Sequence, residues 1–286
     1  MAEATTTELK KETIISTESG WFDIDWRELW ASRELIFRLF HRDFSCSYKQ
    51  TIFGYTWFII PPVINTLVYG FMFGTIGKIS TGSAPKFLFY FLSVLIWNFF
   101  SSNVNKTAGT FTGNSGLFSK VYFPRFVVPV AGLLSNLLTL SIQVVLFTLI
   151  YGVYMWNGAP LHPGVELLWV PVIVFLFGVL GIGGGLFIAS LTTTYRDMGM
   201  LASMALQLLM FGSCVLNPLS EAPAALQPWM ALNPVVPLME TLRYALFGSH
   251  SFYPGYLCLS VVITIAVFIL GLATFHRAER TFTDTV

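Results

Sequence analysis

Charge is what this chain most lacks. Only 11% of its 286 residues are Asp, Glu, Lys or Arg, against roughly 25% in soluble domains, and none falls within residues 51–77, 87–105, 126–165, 167–195, 198–220 or 244–276. A helix needs about 20 mostly apolar residues to cross a bilayer. The runs therefore exclude a soluble domain and predict an all-α membrane protein with six transmembrane helices, at about 51–77, 87–105, 126–154, 167–192, 199–217 and 256–276.

Other absences narrow the chemistry. Three scattered cysteines, Cys46, Cys214 and Cys258, support neither a disulfide framework nor a metal cluster and are read as apolar fillers. His41, His162, His250 and His276 stand apart from carboxylates and cysteines at ligand spacing, so no metal site is expected. There is no G-x-x-x-x-G-K-[ST] run. Gly181, Gly183, Gly184 and Gly185 lie inside a predicted span rather than a strand-to-helix turn, which makes them packing glycines and not a phosphate loop. Gly70 and Gly74 share the G-x-x-x-G spacing of Gly181 and Gly185. The spans carry no ionisable residue of the kind that proton- or ion-coupled carriers place in the membrane, and no selectivity-filter motif is visible. Energy for any transport then comes from elsewhere, most simply from a protein docked on the cytoplasmic face. The first twenty residues, rich in Thr, Glu and Lys, lack the apolar core of a signal peptide, and a retained, disordered tail is expected over 1–22.

What charge there is falls unevenly. With the N-terminus inside and six crossings, inner segments hold Lys10, Lys11, Arg27, Arg33, Arg38, Arg42, Lys49, Lys106, Lys120, Arg125, Arg196, Arg277 and Arg280, and outer segments hold only Lys78, Lys86 and Arg243. That asymmetry predicts cytoplasmic termini, with 277–286 as an inner tail. The cluster Asn157, Gly158, Pro160, His162, Pro163 and Gly164 closes the third span near Tyr154. Five prolines between 217 and 239 predict half-helices, re-entrant from the outer side, since irregular backbone at membrane depth must be buried in protein or line a wet cavity.

Ahead of the first span, residues 26–44 place Trp26, Leu29, Trp30, Ile36, Phe37, Phe40 and Phe44 within a roughly 120° arc opposite a largely basic face. An amphipathic helix lying in the membrane surface is expected over 23–45. Asp25 with Glu28 supplies a capping box at its start. Arg33, inside the apolar arc, needs a snorkelling route or a partner. The inner segment 103–129 is too polar to span, yet it carries Leu117, Phe118, Val121, Tyr122 and Phe123 around single positive charges. A short helix with an exposed aromatic face suits docking by a partner; packing on its own membrane domain is the competing reading.

The runs RDFSCSYKQTIFGYTWFIIPP (42–62), GLFSKVYFPRFVVP (116–129) and TYRDMGM (194–200), in this order and with six spans, resemble the membrane subunit of polysaccharide-exporting ABC-2 transporters, the permeases for O-antigen, capsule and teichoic acid. The resemblance covers the chain from about Trp26 onward. It implies a homodimer in the bacterial inner membrane that works with two copies of a separate ABC ATPase. ATP and Mg would sit on that partner and no cofactor on this chain; the cargo would be a glycan on undecaprenyl pyrophosphate, and nucleic acid would have no role. It also implies an interfacial N-terminal helix, a cytoplasmic coupling helix between the second and third spans, and short re-entrant helices before the last span. ATPase-coupling candidates are Leu117, Phe118, Val121, Tyr122, Phe123, Arg125, Tyr195, Arg196 and Asp197, although Arg196 and Asp197 also suit a local ion pair. Arg42, Lys49, Lys120 and Arg125 are candidates for drawing the lipid head group to the inner mouth; orientation by positive charge explains them equally. Tyr55, Trp57, Tyr69, Phe73, Phe211 and Trp229 are candidates for a glycan channel lining, with interfacial belts as the alternative. A permease for small lipids or drugs, and a partner-independent channel or membrane enzyme, remain as other classes.

Overall fold

A computed structural model of the chain describes residues 26–82, 84–118, 123–161, 164–195, 197–248 and 253–283. The expected tail, the Asp25–Glu28 box, and the candidates Lys120, Val121, Tyr122 and Arg196 lie outside the described residues or side chains. The described residues hold no strand. In chain order they form α1 (Trp26–Ala31), α2 (Arg33–Tyr48), a 3-10 turn at Gly54–Phe58, α3 (Ile60–Tyr69), a π-helix at Gly70–Ile76, α4 (Lys86–Ala108), α5 (Thr110–Gly113) and α6 (Ser115–Phe118). There follow α7 (Val127–Trp156), a 3-10 turn at Val165–Leu168, α8 (Trp169–Thr192), α9 (Met198–Gly212), a 3-10 turn at Leu219–Glu221, α10 (Gln227–Ala231), α11 (Val235–Phe247) and α12 (Pro254–Thr283).

Among the described residues, five stretches are long and apolar enough to cross a membrane: Gly54–Ile76, Lys86–Ala108, Val127–Trp156, Val165–Thr192 and Pro254–Glu279. They fall on the first four and the last of the expected spans. The expected fifth, 199–217, is the apolar helix α9, whose 15 residues give about 22 Å of rise against a hydrocarbon core of about 30 Å. Absence of charge continues to Ser220, but helix does not: Cys214 takes a left-handed φ of 51°, and the Ser213 hydroxyl donates to the Leu209 carbonyl. The surface helix is also divided. The backbone turns at Ser32, a residue that competes for backbone hydrogen bonds, and α2 then runs on to Tyr48. Arg33 is exposed and lies 6.0 Å from the Trp30 ring, so its partner is aromatic rather than a carboxylate.

The packing centre is α4, buried along most of its length and dense in rings: Phe89, Tyr90, Phe91, Trp97, Phe99 and Phe100. In lipid no hydrophobic force drives two apolar helices together, so close approach of backbones must supply the contact. Helix α8 achieves this on two faces. A Cβ built on Gly181 would lie 2.8 Å from Asn103 Cβ, and one on Gly185 would lie 2.8 Å from the Val104 carbonyl oxygen, both on α4. From the other face, one on Gly183 would lie 2.7 Å from Phe268 Cα of α12, and one on Gly271 of α12 would overlap the Gly183 carbonyl oxygen. The glycine run is a packing device, as its place in a span suggests. A Cβ built on Gly74 would likewise lie 3.1 Å from the Tyr90 ring and 3.2 Å from the Lys86 side chain. By contrast α3 and α9 sit at the periphery, with Ile64, Leu67, Met204 and Leu208 exposed. Cys214 is buried beside Leu219 and Val236, in the filler role expected of it.

Candidate functional site

Among the described residues, three polar arrangements interrupt this apolar body, with a further contact made by Arg125 beside the first. The first fastens the surface helix to the second span. Asp43 of α2 accepts from Arg42 at 2.8 Å and pairs with Lys106 near the end of α4 at 3.1 Å, and Arg42 donates to the Asn114 side chain at 3.4 Å. Two of the predicted head-group cations are thus placed differently: Arg42 is held in this cluster, whereas Lys49 is exposed just past α2. Nearby, Tyr48 and Tyr55 stack with centroids 4.2 Å apart. The hydrogen bond from Tyr55 draws the Tyr48 phenol below the usual tyrosine range.

Arg125 is more deeply engaged. Its guanidinium donates to the Glu279 carbonyl at 2.7 Å, lies 3.9 Å from that residue's carboxylate, and sits 5.7 and 5.6 Å from the Phe111 and Phe118 ring centroids. His276 also faces the Glu279 carboxylate, at 3.4 Å. The segment between α4 and α7 therefore grips the end of α12. Its expected aromatic face is only partly free: Phe123 is buried with Leu39, Val127 and Ala131, and Leu117 and Phe118 pack half-buried on the same cluster. On the turn between α8 and α9, Tyr195 and Asp197 are exposed, Asp197 preceding the first turn of α9, where negative charge complements the helix dipole.

The second arrangement is centred on the arginine that charge counting places in an outer segment. Arg243 of α11 is fully buried. It pairs with Glu240 at 2.8 Å, donates to Ser93 Oγ of α4 and to the Val215 carbonyl at 2.8 Å each, reaches the Asn217 carbonyl at 3.4 Å, and lies 4.1 Å from the Phe89 ring centroid. Glu240 in turn accepts the Leu219 backbone N–H at 3.1 Å. The helix-free stretch after α9 thereby finds hydrogen-bond partners that lipid could not offer. The available signal was the i,i+3 spacing of Glu240 and Arg243 in an otherwise apolar helix.

The third is a cavity of about 210 Å³ between the 3-10 turn before α3, α4 and α7, lined by Trp57, Phe58, Asn98, Ser102, Asn136, Thr139, Gln143 and neighbouring apolar residues. Of the proposed lining aromatics, Trp57 alone opens on it. Tyr55, Phe211 and Trp229 are exposed elsewhere, and Tyr69 and Phe73 lean on the core.

With that geometry in hand, a family model described as ABC-2 type transporter matches residues 34–247. The chain belongs to the ABC-2 type transporter family. The match runs from α2 through α11, so the surface helix, the inner segment and the Arg243 cluster all lie within the part the family shares, and α12 lies beyond it. Among family relatives the chain is similar to the O-antigen export system permease protein RfbA of Myxococcus xanthus, 27% identical over 265 residues, covering 91% of this chain and 98% of the relative. A Klebsiella pneumoniae protein of the same name is 22% identical, covering 88% and 94%. The polysialic acid transport protein KpsM of Escherichia coli is 26% identical, covering 85% and 92%.

Proposed function

We propose that this chain is the channel-forming permease subunit of an ATP-driven exporter that moves a lipid-linked polysaccharide, O-antigen, from the cytoplasm across the bacterial inner membrane. The observation that carries the reading is similarity along nine-tenths of the chain to a relative named as an O-antigen export permease. The charge-free runs of the sequence agree with it, since proton- and ion-coupled carriers place ionisable groups within their spans. In this reading two copies pair and dock two ABC ATPases, which hold ATP and Mg. Helix α9 completes a sixth crossing with the extended stretch after it, α10 and α11 are re-entrant, and both termini are cytoplasmic. Motion enters through the inner segment around Phe118, beside the Arg125–Glu279 grip.

The relative named as a polysialic acid transporter, at comparable identity, supports a capsular polymer as second cargo. Deleting the gene and analysing surface glycans decides between them: loss of the O-antigen ladder with intact capsule supports the first, and the reverse supports the second. An unchanged surface would overturn both. Purification in mild detergent is expected to recover a Walker-type ATPase in equal amount. Phe118→Ala is expected to leave the complex assembled but lower export, and full export by that variant would remove Phe118 from the coupling role.

A further inference from the structure

The cavity between the first three spans combines features that neither lipid contact nor core packing requires. Asn98 and Ser102 lie one turn apart in the second half of the 23-residue helix α4, and their side chains make no hydrogen bond among the described residues. Asn136 donates to Asn103 Oδ1 at 2.9 Å, and Gln143 donates through Nε2 to the Phe58 carbonyl at 2.8 Å. Asn136 Oδ1 and Gln143 Oε1 keep their acceptor capacity. Free amides and hydroxyls at this depth are costly against hydrocarbon, so the cavity is built for a polar occupant. At about 30 Å³ per water it has room for roughly seven, which is also the scale of a single sugar ring.

Its chemistry says which kind of occupant. No charged residue lines it, whereas a phosphate or pyrophosphate calls for Arg, Lys or a metal. The amide and hydroxyl groups both donate and accept, as sugar hydroxyls do, and Trp57 supplies the flat apolar face against which a ring's C–H side can rest. Trp57 sits in the turn that opens the first span, and the Asn98–Ser102 half of α4 is the half nearer Lys106. The cavity therefore lies toward the Asp43–Lys106 end rather than the Arg243 end.

We propose that this cavity is a saccharide-holding station: it takes one uncharged sugar residue of the cargo through Asn98, Ser102 and Gln143, with Trp57 as the stacking face, on the inner half of the path. The proposal rests on the polysaccharide reading above and adds where and how the cargo is held.

Saturation-transfer NMR tests it on the permease–ATPase complex in nanodiscs, using oligosaccharide repeats released from the host's surface polymer as probe and inorganic pyrophosphate as competitor. Transfer to sugar ring protons is expected, undiminished by pyrophosphate. Affinity should fall roughly fivefold for each hydrogen-bonding group removed, in Asn98→Leu and in Ser102→Ala. Ser102 is exposed, so its variant keeps the fold even where Asn98→Leu repacks α4. Wild-type affinity in both variants, or displacement by pyrophosphate, would overturn the station. So would a disulfide between two copies carrying Asn98→Cys in a Cys46→Ser, Cys258→Ser background, because a second copy would then fill the cavity. Unaltered binding with normal export would sink the station alone, whereas an intact surface polymer in the gene deletion would sink the export reading beneath it.

Discussion

The Arg243 cluster and the Asp43 cluster each tie α4 to another part of the chain through an arginine or lysine and a carboxylate, yet they differ in kind. At Arg243 no guanidinium surface is open to solvent, the carboxylate is 5% exposed, and two carbonyls, a hydroxyl and an aromatic ring share the charge. At Asp43 the partners are 48% and 34% exposed, and water solvates whatever the pair does not. A buried pair is strongly destabilised by losing one member, whereas an exposed one contributes about 1 kcal/mol or less and weakens with salt. The first therefore fixes geometry; the second can open and close at little cost, which suits the end of the molecule where a partner is proposed to push.

Substitutions can break that contrast. Arg243→Met is expected to cost about 3–5 kcal/mol, by stranding Glu240 and freeing the Val215 and Asn217 carbonyls, and to appear as a large fall in the thermal midpoint in detergent. Arg243→Lys should recover only part of this, because an ammonium cannot span the same fork of acceptors. A small loss in Arg243→Met would show the cluster to be incidental. Arg125→Ala, at a site 11% exposed, should fall between the two extremes at about 2 kcal/mol, with faster proteolysis of the α12 end as the readout.

Asp43→Asn is expected to change stability by less than about 1 kcal/mol while lowering ATP-dependent export. It should also remove the salt sensitivity of α2 protection in hydrogen exchange, and a wild-type salt response in that variant would erase the distinction between the clusters. The smallest effect is expected for Arg33→Ala, about 0.5 kcal/mol from the exposed contact with Trp30, measured as a slight loss of binding to anionic vesicles.

Much of the architecture was legible because lipid simplifies the rules. Absence of charge marked the runs that became α4, α7, α8 and α12, and the glycines in a span pointed to helix contact before any contact was visible. What the sequence leaves open has one cause: charge and hydropathy report where a segment can reside, not how its backbone is shaped. Cys214 turns left-handed inside a charge-free run, and Ser32 divides an amphipathic pattern whose periodicity passes through it. Counting basic residues places Arg243 in an outer segment but is silent on burial, which depends on Ser93, 150 residues away, and on carbonyls of a segment with no pattern of its own. Phe123 belonged to a run read as a docking face, and only the fold shows Leu39 and Val127 covering it.

The glycine contacts of α8 carry a mechanical consequence. Where Gly183 meets Gly271, main chain rests on main chain, and Gly185 meets the Val104 carbonyl and the short Thr107 side chain of α4, which leaves little to compress or change rotamer. Displacement of one of these helices must reach the others without slack, so α4, α8 and α12 behave as a stiff frame. Play is left to α3 and α9, the two helices that hang from its edge.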